Sequence, residues 1–105
     1  MNKKYIISKN EEISSIMKNS KKRSTNTFYM RYIENTLGYS RYCISVSKKI
    51  GNAVVRNKCR RIVKDIITKN KINNSLNCVI IVKKEILELK YLEIEKEILL
   101  LLEEK

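Results

Sequence analysis

A chain of 105 residues, 43% of them hydrophobic, is long enough for one folded domain and too short for two, so a single domain over residues 1–105 is expected. A chain of this size hides roughly two thirds of its unfolded surface, which allows a true core. The net charge of +12 points to a polyanionic partner, while no apolar run approaches the ~20 residues of a membrane span; the longest is Ile98–Leu102, and basic Met1–Ile7 lacks the apolar region and small-residue cleavage site of a secretion signal, so a cytoplasmic protein with no membrane partner is expected.

Ser8-Lys9-Asn10-Glu11 has the S-x-x-E form of a capping box. Ile13, Ile16 and Met17 follow at i, i+3 and i+4, so a first helix is expected from Lys9 to Asn19. Asn19–Asn26 is polar and basic without an apolar residue and reads as an exposed loop. Its Lys21-Lys22-Arg23 triplet is as readily solvated as bound to phosphate. Thr27–Ile33 is rich in aromatic and β-branched residues and reads as a strand, with Phe28, Met30 and Tyr32 on one face and Tyr29, Arg31 and Ile33 on the other. Glu34–Gly38 forms a turn. Tyr39–Val46 is the second strand, expected to pair with the first as an antiparallel hairpin.

Ser47-Lys48-Lys49-Ile50-Gly51 is a short polar hinge, and Asn52 is a good N-cap for a helix running to Lys69. Val55, Cys59, Ile62, Val63 and Ile66 make one apolar stripe of that helix. Asn57, Arg60, Arg61 and Lys64 fall at i, i+3, i+4 and i+7 on the opposite side, flanked by Arg56 and Lys58. One face suits a core and the other an anion. Asn70–Asn77 is a polar loop, and the nearly continuous apolar run Cys78–Val82 suits a central strand buried on both faces. A last helix is expected over Lys90–Glu104, with Tyr91, Ile94, Ile98, Leu101 and Leu102 on one side; Leu99 and Leu100 widen the stripe, for which core packing is the plain use and a partner surface the alternative. The order α-β-β-α-β-α reads as a small α+β single-domain sandwich of helices on a sheet.

The charge is unevenly placed. From Lys18 to Lys64 there are 13 Lys or Arg against one acid, Glu34, whereas the rest of the chain carries 10 of each sign. Compositional bias toward lysine would not leave the flanks neutral, so the middle of the chain is read as the binding region for nucleic acid or another polyanion. The three cysteines, Cys43, Cys59 and Cys78, are widely spaced in apolar contexts and read as small buried hydrophobes.

The chemistry that is missing matters as much. There is no histidine, the single aspartate is Asp65 within the basic helix, where an Arg or Lys partner is expected, and seven of the 11 acids follow residue 84. The only glycines are Gly38 and Gly51, so no glycine-rich phosphate loop exists. A self-sufficient nuclease needs an acid, a base or a metal site; this chain reads as a binder, with no catalytic residue, no metal site and no small-molecule substrate of its own. A DNA-binding regulator fits poorly, because no helix and tight turn of helix-turn-helix type precede the basic helix.

The run SVSKKIGNAVVRNKCRR, Ser45–Arg61, resembles the signature segment of the bacterial ribonuclease P protein component, which carries SKK-(I/V)GNAV-x-RNR-(I/L)-(K/R)R on its second helix. The resemblance implies an α+β fold with a left-handed β-α-β crossover, against the usual preference. It implies an RNA-binding subunit of an endoribonuclease that removes the 5′ leader of precursor tRNA, with hydrolysis carried by the ribonuclease P RNA and Mg2+ bound mainly by that RNA. The implied partners are that RNA and precursor tRNA. Matching positions make Lys48, Lys49, Asn52, Arg56, Asn57, Lys58, Arg60, Arg61 and Lys64 the expected RNA contacts, and Ile13, Met17, Phe28 and Arg31 the expected leader cleft. The chain departs from the pattern at Lys58, where the family has Arg, at Cys43, where Gly is common, and at Ile13, Met17 and Arg31, where the family has aromatics. The alternative reading is a general RNA- or ribosome-associated basic binding module without a processing role.

Overall fold

A computed structural model describes residues 1–18, 20–72 and 74–103. Asn19, expected to end the first helix and open the next loop, Asn73 of the polar loop, and Glu104, the expected end of the last helix, lie outside the described residues. The elements are α1 (Asn10–Lys18), β1 (Lys21–Ser24), β2 (Phe28–Glu34), β3 (Arg41–Val46), α2 (Ala53–Lys69), β4 (Leu76–Val82) and α3 (Tyr91–Glu103), with short 3-10 turns at Lys3–Tyr5 and Lys84–Glu88. α1 opens at Asn10, one residue later than the Ser8 cap requires, and the Lys9 carbonyl accepts from Ile13 N.

The four strands form one sheet in the order β1-β2-β4-β3. β2 and β3 therefore do not form the expected hairpin. β4 lies between them, antiparallel to β2 and parallel to β3, with Cys78 level with Tyr32 on one side and Tyr42 on the other. The reason is burial: Cys78, Val79, Ile80 and Val82 are each at most 3% exposed, and only an interior strand hides both of its faces. The β2–β3 link must then cross the start of β4, and polar groups there satisfy it. Asn35 N donates to Ser75 O at 2.9 Å, Asn35 Nδ2 donates to Asn77 Oδ1 at 2.9 Å, and Ser40 Oγ accepts from Leu76 N at 3.1 Å. Gly38 turns the chain with φ of +80°, a conformation that suits glycine.

Residues 21–24, expected in a loop, form the edge strand β1, paired antiparallel with β2. Three of its four side chains are charged, which is how exposed edges resist further pairing. Arg23 is structural: Nη1 donates to Leu101 O at 3.1 Å, at the C-terminal end of α3, and the guanidinium lies 4.7 Å from the Tyr32 ring centroid. At the other edge Ile6 bridges Tyr42, and Ile7 N donates to Tyr42 O at 2.8 Å.

Strand alternation divides the core. Phe28, Met30, Tyr32, Cys78 and Ile80 pack with Cys59, Val63, Ile66 and Ile67 of α2 and Ile94, Ile98, Leu101 and Leu102 of α3. Ile7, Ile16 and Val79 make a smaller core on the opposite face, with Ile13, Met17, Ile33, Cys43 and Ile81 against it. The last helix uses its stripe for the core, but Leu100 and Leu92 stand 53% and 72% exposed. Cys59 and Cys78 are buried free thiols and Cys43 is half-buried; burial pushes the Cys78 thiol up to about 12. No described helix is long and apolar enough to cross a membrane.

Glu12 of α1 accepts two hydrogen bonds from Arg41 of β3, at 2.7 and 3.3 Å. That contact holds the Glu12 carboxyl below its ordinary value of 4.5. A depressed carboxyl contributes stability above its unfolded pKa and loses it as pH falls through the folded one. Glu12→Gln is expected to cost about 0.2–1 kcal/mol at neutral pH and almost nothing at the acid end, where the native pair is also lost. Denaturant midpoints of both proteins across the acid range check this.

Candidate nucleic-acid interface

The turn before α2 is set by two hydrogen bonds: Ser47 O accepts from Ile50 N and Ser47 Oγ from Lys49 N, both at 3.0 Å. Ile50 is buried, and Lys48 and Lys49 project outward and are exposed. Asn52 caps the helix, its Oδ1 accepting from Val55 N at 3.0 Å. Gly51 is needed for space, because a Cβ there would lie 2.9 Å from Val55 Cβ. Gly51→Ala is expected to destabilise the fold by about 1–3 kcal/mol through this clash, seen as a lower urea midpoint with an unchanged m-value.

α2 then separates its faces as the periodicity requires. Cys59, Val63, Ile66 and Ile67 are buried, with Val55 and Ile62 packed at the margin. Opposite them Asn57, Arg60, Arg61, Lys64, Asp65 and Thr68, together with Met1, line a groove of about 410 Å³. Asn57 and Arg61 are exposed, Arg60 and Lys64 half-buried. Lys58 is exposed on one flank. Arg56 is half-buried on the other, and its Nε is the one buried side-chain polar atom without a partner among the described residues. Such a donor costs about 1–3 kcal/mol unless something accepts from it. Asn57 Oδ1 accepts from Arg60 Nη1 at 2.8 Å, which fixes the guanidinium over the groove.

Asp65 has a different partner from the expected cation. Its carboxylate accepts from the Tyr91 hydroxyl at 2.6 Å, and this bond drives the Tyr91 phenol up to about 12. Among the described residues the ion pairs are Glu12–Arg41 and Glu95–Lys69. Neither draws on the cations of the α2 groove.

The expected leader residues divide between two faces. Ile13 and Met17 of α1 are half-buried against the small core that includes Val79 and Ile33, on the sheet face where alternation also puts Arg31. Phe28 is 0% exposed and packs on the α2 side of the sheet. It cannot join the other three, because alternation places it on the face of Met30 and Tyr32. Arg31 is already engaged: Nε donates to Ser20 Oγ at 2.7 Å, Nη2 to Ser20 O at 3.2 Å and Nη1 to the Tyr29 hydroxyl at 3.2 Å. Tyr29, half-buried and absent from the expected cleft, is the aromatic on this face of β2. Its place beside Arg31 and Ile33 was the signal that could have found it.

A family model described as Ribonuclease P matches residues 1–105. The chain is 40% identical over 108 residues to the ribonuclease P protein component of Mycoplasma mycoides subsp. mycoides, covering 99% of this chain and 98% of that one. It is 36% identical over 102 residues to that of Bacillus cereus, covering 94% and 89%. Among solved structures, the RNase P protein of Staphylococcus aureus superposes with a TM-score of 0.86 at 28% identity, over 94% of this chain and 93% of that one. That of Thermotoga maritima, solved in complex with 1-(4-fluorophenyl)-2-thiourea, superposes with a TM-score of 0.83 at 30% identity, over 90% and 94%.

Proposed function

The chain belongs to the family of bacterial ribonuclease P protein components, RNA-binding proteins of tRNA processing, and from that membership we propose how its two faces divide the work. The α2 groove, with Lys48, Lys49 and Asn52 at its head and Lys58 on its flank, holds the backbone of the ribonuclease P RNA. The α1 face of the sheet receives the 5′ leader of precursor tRNA. The observation that carries this reading is the set of cations in the α2 groove, none of which joins an ion pair among the described residues, together with the orphan donor of Arg56. Phosphate oxygens are the acceptors that such a face fits.

Hydrolysis and magnesium are assigned to the RNA subunit, and the cytoplasm is the working compartment. Magnesium favours an octahedral set of oxygen ligands. The α2 groove offers a single carboxylate, Asp65, already bonded to Tyr91, and no cluster of three or more His, Cys, Asp or Glu side chains occurs among the described residues. By itself this face supplies too few oxygen ligands to complete a magnesium shell without phosphate or water. Its contribution is to neutralise phosphate repulsion, so that the RNA closes on its substrate with less salt.

The test is reconstitution. The protein, mixed with ribonuclease P RNA at low magnesium, is expected to accelerate leader removal from a precursor tRNA over RNA alone. Tight RNA binding without acceleration would favour a general RNA-binding module instead. For the leader face, Tyr29→Leu is expected to weaken binding of a base-carrying single-stranded leader by roughly fivefold or more. It should leave an abasic leader unaffected; equal losses on both would remove Tyr29 as a stacking platform.

A further inference from the structure

Beyond the end of the α2 groove lies a second cavity, of about 340 Å³, within the range of roughly 300–1,000 Å³ that small-ligand pockets occupy. Three tyrosines from different parts of the chain wall it: Tyr5 of the N-terminal 3-10 turn, Tyr39 of the β2–β3 link and Tyr42 of β3, with Ile67 and Ile72 completing the apolar lining. Tyr5 and Tyr39 meet edge to face, their centroids 5.5 Å apart and planes at 87°. Lys4 Nζ lies 5.0 Å from one ring centroid and 4.9 Å from the other. Tyr42 is fixed by donating to Ile72 O at 3.4 Å.

The cavity adjoins the cationic groove. Both are lined by Met1 and Thr68, and the Thr68 hydroxyl donates to Lys64 O at 2.8 Å, one turn back. From Arg60 to Thr68 is about 12 Å along the helix axis. No Asp or Glu is among the described residues that line the cavity, and Lys71 and Asn2 are among those that do. A run of backbone cations that leads into an aromatic chamber with polar groups beside it is the arrangement by which proteins hold single-stranded RNA. The phosphates lie on the cations, an unstacked base lies against the rings, and hydrogen bonds reach the base edge.

We propose that this tyrosine-walled cavity receives one unpaired nucleobase of the RNA whose phosphates lie along the α2 groove. The inference rests on the reading of that groove as an RNA-binding face and adds a base-recognition site to it, on the opposite side of the sheet from α1. Its occupant is a base still attached to the strand, because the groove that leads to it supplies affinity only to a neighbouring backbone.

Two measurements test it. In methyl NMR of the wild-type chain, adenosine 5′-monophosphate is expected to produce saturable ring-current shifts at the Ile67 and Ile72 methyls that ribose 5-phosphate does not. Absence of those shifts, or equal shifts with both probes, would overturn the proposal without requiring any variant to fold. In the second, binding of a short oligoadenylate is compared for wild type, Tyr39→Leu and Arg60→Ala, each checked by thermal melting. Tyr39→Leu is expected to weaken binding roughly five- to 150-fold while the salt dependence stays as in wild type. Arg60→Ala should weaken binding and flatten its salt dependence. If Arg60→Ala acts and Tyr39→Leu does not, the base site is wrong and the groove stands. If Arg60→Ala changes nothing, the groove itself is misassigned. Nucleotide shifts at the two isoleucines with no effect of Tyr39→Leu on the oligonucleotide would make the cavity a free-nucleotide site and overturn its role in holding the strand.

Discussion

Replacing Arg56, Arg60 and Arg61 together by Ala is expected to leave the protein folded and weaken its binding to ribonuclease P RNA by roughly 100-fold or more. Folding should survive because none of the three takes part in an ion pair among the described residues. Arg56 even carries an unpartnered buried Nε, whose removal relieves a cost. Binding should fall because hydrogen bonds to charged groups contribute about 1.5–3 kcal/mol each, and about 1.4 kcal/mol is tenfold in affinity. Salt dependence separates this mechanism from a general loss of fit. Each neutralised phosphate contributes roughly 0.7–0.9 to the slope of log K against log salt, so the triple variant should show a slope shallower by about two. Asn57→Ala should reproduce a small part of the effect, since Asn57 holds Arg60 but carries no charge. An affinity loss with an unchanged slope would mean that the arginines act by shape and not by charge.

Phe28→Ala should do the reverse, with a large loss of stability and none of recognition. Phe28 is wholly buried among α2- and α3-side residues, and truncating such a ring costs about 3–5 kcal/mol. Small domains have only about 5–15 kcal/mol in total. The urea midpoint should drop steeply. Under conditions where the variant remains folded, its affinity for a base-carrying leader should match that of wild type, because the sheet separates Phe28 from Ile13, Met17 and Tyr29. A specific loss of base-dependent leader affinity would place Phe28 at the cleft after all.

The parts that were legible in the chain are those whose signals are local. Asn52 as a cap, the two stripes of α2 and the buried run of β4 each follow from spacing within one element. Strand pairing is not local in this sense. β2 and β3 are neighbours in sequence and separated in space, since the most apolar strand takes the interior position whatever its place in the chain. That requirement was already present in Cys78–Val82, and it outweighs the convenience of a short link. β1 is not legible in the chain, because Lys21–Ser24 offers no apolar alternation; it forms where the free edge of β2 supplies its hydrogen bonds. The family resemblance points Phe28 to the cleft, whereas strand alternation puts it beside Met30. Asp65 was expected to pair with a cation, and its partner Tyr91 lies 26 residues away on another helix. The tyrosine cavity has no sequence signal, because Tyr5, Tyr39 and Tyr42 are gathered by the pairing of the N-terminal segment with β3.

The measurement that bears most directly on the α2 face compares leader removal from precursor tRNA at low magnesium by ribonuclease P RNA alone, with the wild-type protein, and with the Arg56-Arg60-Arg61→Ala variant shown to be folded. Acceleration by wild type that disappears in the variant, with the three cleavage rates converging as magnesium is raised, is the expected result, because added cations then do the work of the missing charges. Equal acceleration by both proteins would contradict the assignment and move the RNA-binding surface off α2.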